Sequence, residues 1–327
     1  MSRVPSILIL AMGLTVGFAQ AAKTLDLYFI DVEGGQSTLV VSPSGQSLVI
    51  DTGYNGFGGR DAVRIAAAAK QAGVKRIDYL LITHFHDDHV GGVRNLLERL
   101  PVAAFLDHGP SIETKGYPEE YATAFAKGQH RVIVPGDKIA LKDLDVTVVA
   151  AAGKEIQRHG EANPHCAGIE PRIGETGENT QSAAVVVQFG KFRFADLGDL
   201  TFNRELALLC PENKVGKVDL YLTTHHGGES PKAIWGMAPR VAVMNNGPQK
   251  GGDPLAWRNV MASPGLEALW QLHYAIAAGK ETNAPDTFIV NLDENFDGMH
   301  LKVSAAADGS FTVTNSRNKF SRTYAAQ

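Results

Sequence analysis

Three imidazoles and two carboxylates crowd the stretch Thr83-His84-Phe85-His86-Asp87-Asp88-His89-Val90-Gly91-Gly92. Imidazole nitrogens and carboxylate oxygens are the donors that zinc, manganese and iron accept, so the pattern points to one or two divalent cations. His84 and His86 flank Phe85, and on a short extended piece both rings turn toward one point. Asp88 and His89 follow as the chain turns, adding an acid and a third ring. Ahead of the stretch, the apolar residues 77–82 read as a buried strand. Behind it, Val90, Val93, Leu96, Leu97 and Leu100 make one face of a helix. The donors therefore stand on a strand-to-helix turn. A polar surface loop with incidental histidines is the competing reading, and the full pattern, its context and the trailing Gly-Gly all weigh against it.

The sequence His84-x-His86-x-Asp88-His89 after a strand resembles the signature of the metallo-β-lactamase superfamily, whose members are mostly dinuclear metal hydrolases. The resemblance implies further ligands at later strand ends. Asp199, in Gly198-Asp199 at the end of a strand, is then the carboxylate that bridges two metals; its alternative is a helix N-cap, and Asp196 is the weaker candidate. In Thr224-His225-His226-Gly227, His226 is the second-metal ligand and His225 faces substrate, although the two roles could be exchanged. The third ligand of the first metal is usually a histidine, but here Asn179 stands at the matching place, 20 residues before Asp199. His159 or His165 could complete that site instead. The expected sets are His84, His86, Asp199 and Asn179 for one ion, and Asp88, His89, Asp199 and His226 for the other. Asp51 is expected behind them, accepting a histidine N–H and fixing its tautomer. Zinc is the expected metal, with manganese or iron as alternatives.

A narrower resemblance covers most of the chain as far as the early 230s. Phe29-Ile30-Asp31-Val32, Ile50-Asp51-Thr52-Gly53, Asn179 to Ser182, Gly198-Asp199 and His225-His226-Gly227-Gly228 look like the hydrolase domain of competence proteins of the ComEC/Rec2 type, which also carry Asn where others have His. Glu33-Gly34-Gly35-Gln36 departs from that branch's Gly-Gln-Gly-Asp loop, and the branch's membrane channel has no counterpart here.

The elements that must hold these residues follow from periodicity. Strands are expected at 25–32, 37–42, 46–52, 77–82, 102–106, 137–141, 144–151, 182–189, 192–197, 218–224, 241–245, 299–304 and 310–314. Helices are expected over 60–72, 90–100, 119–127, 202–209 and 264–278. Residues 152–178 and 247–262 read as long Gly- and Pro-containing loops beside the site. Paired strands followed by strands alternating with helices favour two packed mixed sheets with helices on both outer faces. That matches the αβ/βα four-layer sandwich of the resembled superfamily.

The ends and composition set the context. Residues 1–21, with Arg3, an apolar run and Ala19-Gln20-Ala21, read as a secretory signal peptide ahead of one hydrolase domain over 22–327. The run is shorter than the ~20 residues a spanning helix needs, which disfavours an uncleaved anchor. No span is expected in the mature protein, which is placed in the periplasm or outside the cell. Cys166 and Cys210 suit an oxidising compartment as a structural pair, with Cys166 as a metal ligand the alternative. With 31 basic and 35 acidic residues, the chain lacks the excess positive charge of a nucleic-acid binder.

Two adjacent divalent ions lower the pKa of a shared water and polarise a carbonyl or phosphoryl oxygen, so a metal-bound hydroxide is the expected nucleophile. Asp88 would orient it, and His225 would stabilise charge on the attacked centre or protonate the leaving group. Phosphoesters, diesters ahead of monoesters, are the expected substrates. Carbonyl hydrolysis of the β-lactamase, lactonase or thioesterase kind is the alternative, and a non-catalytic metal-binding envelope protein is a third.

Overall fold

The computed structural model describes residues 23–228, 230–293 and 298–327. The expected leader at 1–21 lies outside the described residues. Along the strands that follow, side chains alternate between two buried faces. In Leu25–Ile30, Leu25, Leu27 and Phe29 point into one apolar cluster while Tyr28 and Ile30 point into another. Ser47–Ile50 divides in the same way, Leu48 and Ile50 against Val49. Across the molecule, Phe192 and Phe194 share the central cluster with Phe29, while Ala195 faces away. A strand apolar on both faces must be covered on both faces, which dictates four layers.

Among the described residues the strands form two nine-stranded sheets. The first runs in the order Ser321–Tyr324, Phe311–Asn315, His300–Ala305, Leu25–Ile30, Thr38–Val41, Ser47–Ile50, Ile77–Leu81, Val102–Asp107, Gln129–Val132. Its last four strands are parallel and the others antiparallel. The second runs Ile289–Asn291, Ala268–His273, Val241–Met244, Leu220–Leu222, Phe192–Asp196, Ala184–Phe189, Asp145–Ala151, Lys138–Ile139, with its first five strands parallel and its ninth strand, Lys154–Glu155, paired antiparallel to Asp145–Ala151. Helices Arg60–Gln71, Val93–Leu97 and Glu119–Phe125 cover the outer face of the first sheet. Phe202–Leu209 and Pro254–Met261 cover the second. This is the expected two-sheet sandwich.

Several elements differ from expectation. The helix expected over 264–278 is instead the strand Ala268–His273, buried at every residue. Ala268, Leu269 and Trp270 are apolar on successive positions, and a fully buried strand shows no alternation that separates it from a helix. The helix falls inside the loop expected at 247–262, where Asp253 accepts from Leu255 N and Ala256 N and Pro254 opens the first turn. The helix expected over 90–100 is split into Asp87–Val90 and Val93–Leu97. At the break a Cβ on Gly92 would stand 2.1 Å from Thr52 O, so only glycine admits this approach.

Cys166 and Cys210 form a disulfide, so Cys166 offers no thiolate to a metal. The bond ties the 152–178 excursion to the end of helix Phe202–Leu209, where Asn163 Nδ2 also donates to Leu209 O and Ala233 O. It closes a 44-residue separation, for which chain entropy gives a stabilisation of about 3–4 kcal/mol. Replacing both cysteines by serine is expected to lower the unfolding free energy by about that amount in urea titration, with a larger m-value because the unlinked denatured chain exposes more surface. An unchanged midpoint would show that the loop is held by its hydrogen bonds alone.

Candidate metal centre

The parallel strands of both sheets end at one edge, where ligands in open α/β sheets gather. Asp51 follows Ser47–Ile50, His84 to His89 follow Ile77–Leu81, Asp199 follows Phe192–Asp196, and His225 and His226 follow Leu220–Leu222. One backbone bond joins the edges of the two sheets, Ala183 N donating to Thr83 O at 2.8 Å, and within the second sheet His225 N donates to Gly198 O at 3.1 Å.

Side-chain donors converge there. Ligand atoms of Asp88, His89, Asp199 and His226, all buried, lie within 4.8 Å of one another. Asp88 Oδ2 is 3.2 Å from His89 Nε2 and 2.9 Å from His226 Nε2. Asp199 Oδ2 is 3.2 Å from each of the same nitrogens, 3.8 Å from His84 Nε2 and 3.7 Å from His225 Nε2. His84 Nε2 and His86 Nδ1 are 3.1 Å apart, and His89 Nε2 and His226 Nε2 are 3.2 Å apart.

Nitrogen pairs at this spacing need a proton or a cation between them. Bonds of 2.0–2.1 Å in a tetrahedral shell put neighbouring nitrogens about 3.3 Å apart, so the donor set fits such an ion. Two buried oxygens, Asp199 Oδ1 and Asn179 Oδ1, have no hydrogen-bond partner. An orphaned buried carboxylate oxygen is costly, and a cation resolves it.

The supporting contacts orient the rings. Asp51 takes a left-handed backbone (φ 62°) and accepts from Thr83 N and Thr83 Oγ1, each at 2.7 Å. Its Oδ2 lies 2.7 Å from His89 Nδ1, which places the proton there and leaves Nε2 facing the cluster. Behind His226, Asn245 Nδ2 lies 3.2 Å from Nδ1 while Asn245 Oδ1 has no partner. Rotating that amide by half a turn lets Oδ1 accept the Nδ1 proton, again freeing Nε2. Gln36 Nε2 donates to both oxygens of Asp196 at 3.1 Å, so Asp196 is engaged away from the cluster. Burial pushes its carboxyl up to about 7.

His225 (φ 53°) and His226 (φ 56°) are both left-handed, a strain of roughly 1–3 kcal/mol each held in place by neighbours. Gly252 N donates to His226 O at 2.9 Å and Asp253 N to Gly227 O at 3.0 Å. A Cβ on Gly251 would stand 2.2 Å from His226 O. The turn buries His226 and leaves 47% of the His225 side chain exposed.

The other candidates fall as follows. Asn179 sits on the turn Glu178–Gln181, with Nδ2 3.3 Å from His225 Nε2. Buried Glu178 anchors that turn to His108 Nε2 at 2.9 Å, Ser111 Oγ at 2.8 Å and Ile112 N at 3.1 Å. His159 pairs with Glu212 at 3.3 Å on an exposed side chain, and His165 packs against Trp235, so neither completes the cluster. Asp199 lies ahead of Thr201, the N-cap of Phe202–Leu209, and does not cap that helix.

Electrostatics follows from burial and proximity. Burial would push His89 and His226 down, but Asp199 and Asp88 overcome it and raise both, with Asp51 adding to the effect at His89; His89 goes well above the ordinary histidine value. Burial and the charge on His89 push His84 well below that value. Burial would raise Asp88 and Asp199, yet the two imidazoles His89 and His226 hold both far down in the carboxylate range.

Residues 30–177 match the family model described as Metallo-beta-lactamase superfamily. Those residues carry a metallo-β-lactamase superfamily domain. The chain is 31% identical over 102 residues to hydroxyacylglutathione hydrolase of Stenotrophomonas maltophilia, covering 30% of this chain and 37% of that one. It is 24% identical over 236 residues to Recombination protein 2 of Haemophilus influenzae, covering 70% of this chain and 25% of that one. The chain thus spans well under half the length of these two relatives. A UPF0173 metal-dependent hydrolase of Anaeromyxobacter is 29% identical over 220 residues, 64% of this chain and 71% of that one. Among solved structures, the metallo-beta-lactamase fold protein YhfI of Bacillus subtilis covers 75% of this chain and 95% of its own at 10% identity and TM-score 0.47.

Two predictions test the centre of this superfamily domain. Asn tolerates a left-handed backbone, so Asp51→Asn is expected to fold while weakening zinc affinity roughly 10–100-fold in chelator competition. Unchanged affinity would remove Asp51 from the centre. Because the neighbouring carboxylates raise His89 and His226 in the metal-free protein, zinc must compete with protons for their nitrogens. Its apparent affinity is therefore expected to rise with pH, and calorimetry in buffers of different ionisation heat should report net proton release. Uptake without release would contradict the imidazole ligation.

Proposed function

We propose that this protein is an exported metal-dependent hydrolase acting on phosphoesters, diesters ahead of monoesters. The observation that carries the hydrolase reading is the meeting of Asp88, His89, Asp199 and His226 within 4.8 Å at the joined strand ends. In this reading His84, His86 and Asp199 hold one divalent ion, with Asn179 Oδ1 beside them. Asp88, His89, Asp199 and His226 hold the second, and zinc suits the imidazole-rich donor set. A bound pair of such ions ionises a water and polarises the attacked oxygen at neutral pH.

The chain's own groups supply the rest. Asp88 orients the attacking water. Asp51 and Asn245 keep the ring protons of His89 and His226 on the far nitrogens, so both rings stay aimed. Burial pushes the His225 imidazole down, so its N–H serves as an uncharged hydrogen-bond donor that steadies charge on the attacked centre. A disulfide within the chain suits export to an oxidising compartment.

The substrate preference rests on the His225-His226-Gly227-Gly228 ending and on Asn179, and a match to ribonuclease Z of Alkaliphilus oremlandii (30% identical over 80 residues, 24% of this chain and 23% of that one) accords with it. Carbonyl hydrolysis is the second reading, favoured by the likeness to hydroxyacylglutathione hydrolase.

The test is elemental analysis of purified protein with bis-p-nitrophenyl phosphate, p-nitrophenyl phosphate, nitrocefin and a lactone. Metal-dependent turnover of the diester is expected, with a loss of at least about a thousandfold in kcat/KM for His84→Ala and Asp199→Ala. Turnover confined to nitrocefin or the lactone would overturn the phosphoester preference. Full metal content and activity in either variant would overturn the site.

A further inference from the structure

Residues 247–253 approach the metal centre from the second sheet, and Lys250 is their one basic residue. Its backbone is fixed. Gly247 N donates to Lys250 O at 2.8 Å, and the two residues before helix Pro254–Met261 hydrogen-bond the His225–Gly228 turn. Its stem is confined too, because a Cβ on Gly34 would meet Lys250 Cβ at 2.8 Å. The ammonium contacts Asp88 Oδ2 and lies 5.5 Å from the centre of the Tyr54 ring. The side chain nonetheless stays 41% exposed.

That exposure opens on a cleft of about 350 Å³ whose wall also includes His225, His226, Gly228 and Asp253. Asp253 is the one carboxylate among the described residues lining it. Its Oδ1 is occupied in capping the helix, accepting from Leu255 N at 2.7 Å and Ala256 N at 3.1 Å. Asp88 Oδ2 is shared: the oxygen that meets Lys250 also lies 2.9 Å from His226 Nε2. Once Asp88 gives that oxygen to a cation, the ammonium loses its counter-charge while its stem stays pinned. A buried or half-buried charge without a partner is unfavourable, and the open cleft is where an anion can reach it.

We propose that Lys250 is the docking group for an anionic oxygen of the substrate, phosphoryl or carboxylate, beside the metal centre. The proposal rests on the reading of Asp88 and His226 as metal ligands, and it narrows the substrates to those with a negative charge next to the scissile bond. Lysine serves here as a point charge, so arginine, which keeps the charge, should substitute where methionine does not.

The experiment uses the full zinc-loaded chain, wild type, Lys250→Met and Lys250→Arg, with zinc content measured first. Inorganic phosphate and acetate are titrated by calorimetry, the two arms separating phosphoryl from carboxylate recognition. Lys250→Met is expected to weaken binding of the preferred anion at least about tenfold, and Lys250→Arg to restore most of it. With bis-p-nitrophenyl phosphate, Lys250→Met should act mainly on KM and lower the preference for that anion over neutral p-nitrophenyl acetate.

Undiminished anion affinity in Lys250→Met, or KM rising equally for both substrates, would overturn the proposal. So would zinc loss in Lys250→Met that Lys250→Arg repairs, since Lys250 would then serve only to hold Asp88. If no ester is turned over, the hydrolase reading fails, yet the phosphate and acetate titrations still decide the role of Lys250.

Discussion

The structure depends on one constraint: carboxylates and imidazoles from both sheets are packed into a single buried cluster. Asp88 and Asp199 bring two negative charges out of water, and His89 and His226 bring nitrogens to within 3.2 Å of one another. In a low-dielectric interior such a set is tolerable only when protons or metal ions neutralise it. Every nearby feature serves that condition. Asp51 clamps Thr83 and His89 together, the left-handed His225-His226 turn aims one ring inward and one outward, and the 250–253 loop closes over that turn.

The sandwich explains how residues so far apart in sequence meet. Parallel strands end at a common edge, and the two sheets face each other across the apolar cluster that includes Phe29, Leu81, Phe194, Leu222 and Trp270. Chain ends that would be independent loops on separate sheets become one surface. The Ala183–Thr83 backbone bond ties the two edges together, and the His225–Gly198 bond fixes neighbouring strand ends of the second sheet. Burial holds the sheets together, and polar bonds at the edge set the placement of the ligands.

Much of this was legible in the residues themselves, and the limits have physical causes. His84, His86, Asp88 and His89 announce a strand-to-helix turn because their spacing and flanking apolar runs agree. Asp199 and the His225-His226 pair stand at strand ends for the same reason. Lys250, Asn245 and Gln36 were not legible as site residues. Each is an ordinary polar residue locally, and its partner lies 162, 19 or 160 positions away, a pairing that only the fold creates. Asp51 could be nominated from its place after a strand, but its double grip on Thr83 and His89 needed the tertiary structure. The strand Ala268–His273 reads as a helix in the sequence because burial on both faces erases the alternation that identifies strands. The residues alone leave Asn179, His159 and His165 open beside His84 and His86; Asn179 Oδ1 is buried and unpartnered, while His159 pairs with Glu212 and His165 packs on Trp235.

The account comes down to whether this cluster exists to bind cations. The most direct measurement is anomalous diffraction at the zinc edge from crystals of the full chain equilibrated with zinc. Two peaks about 3.5–4 Å apart with Asp199 between them are predicted, one beside His84 and His86 and the other among Asp88, His89 and His226. Peaks confined to surface histidines such as His159, with the Asp199 region empty, would contradict it.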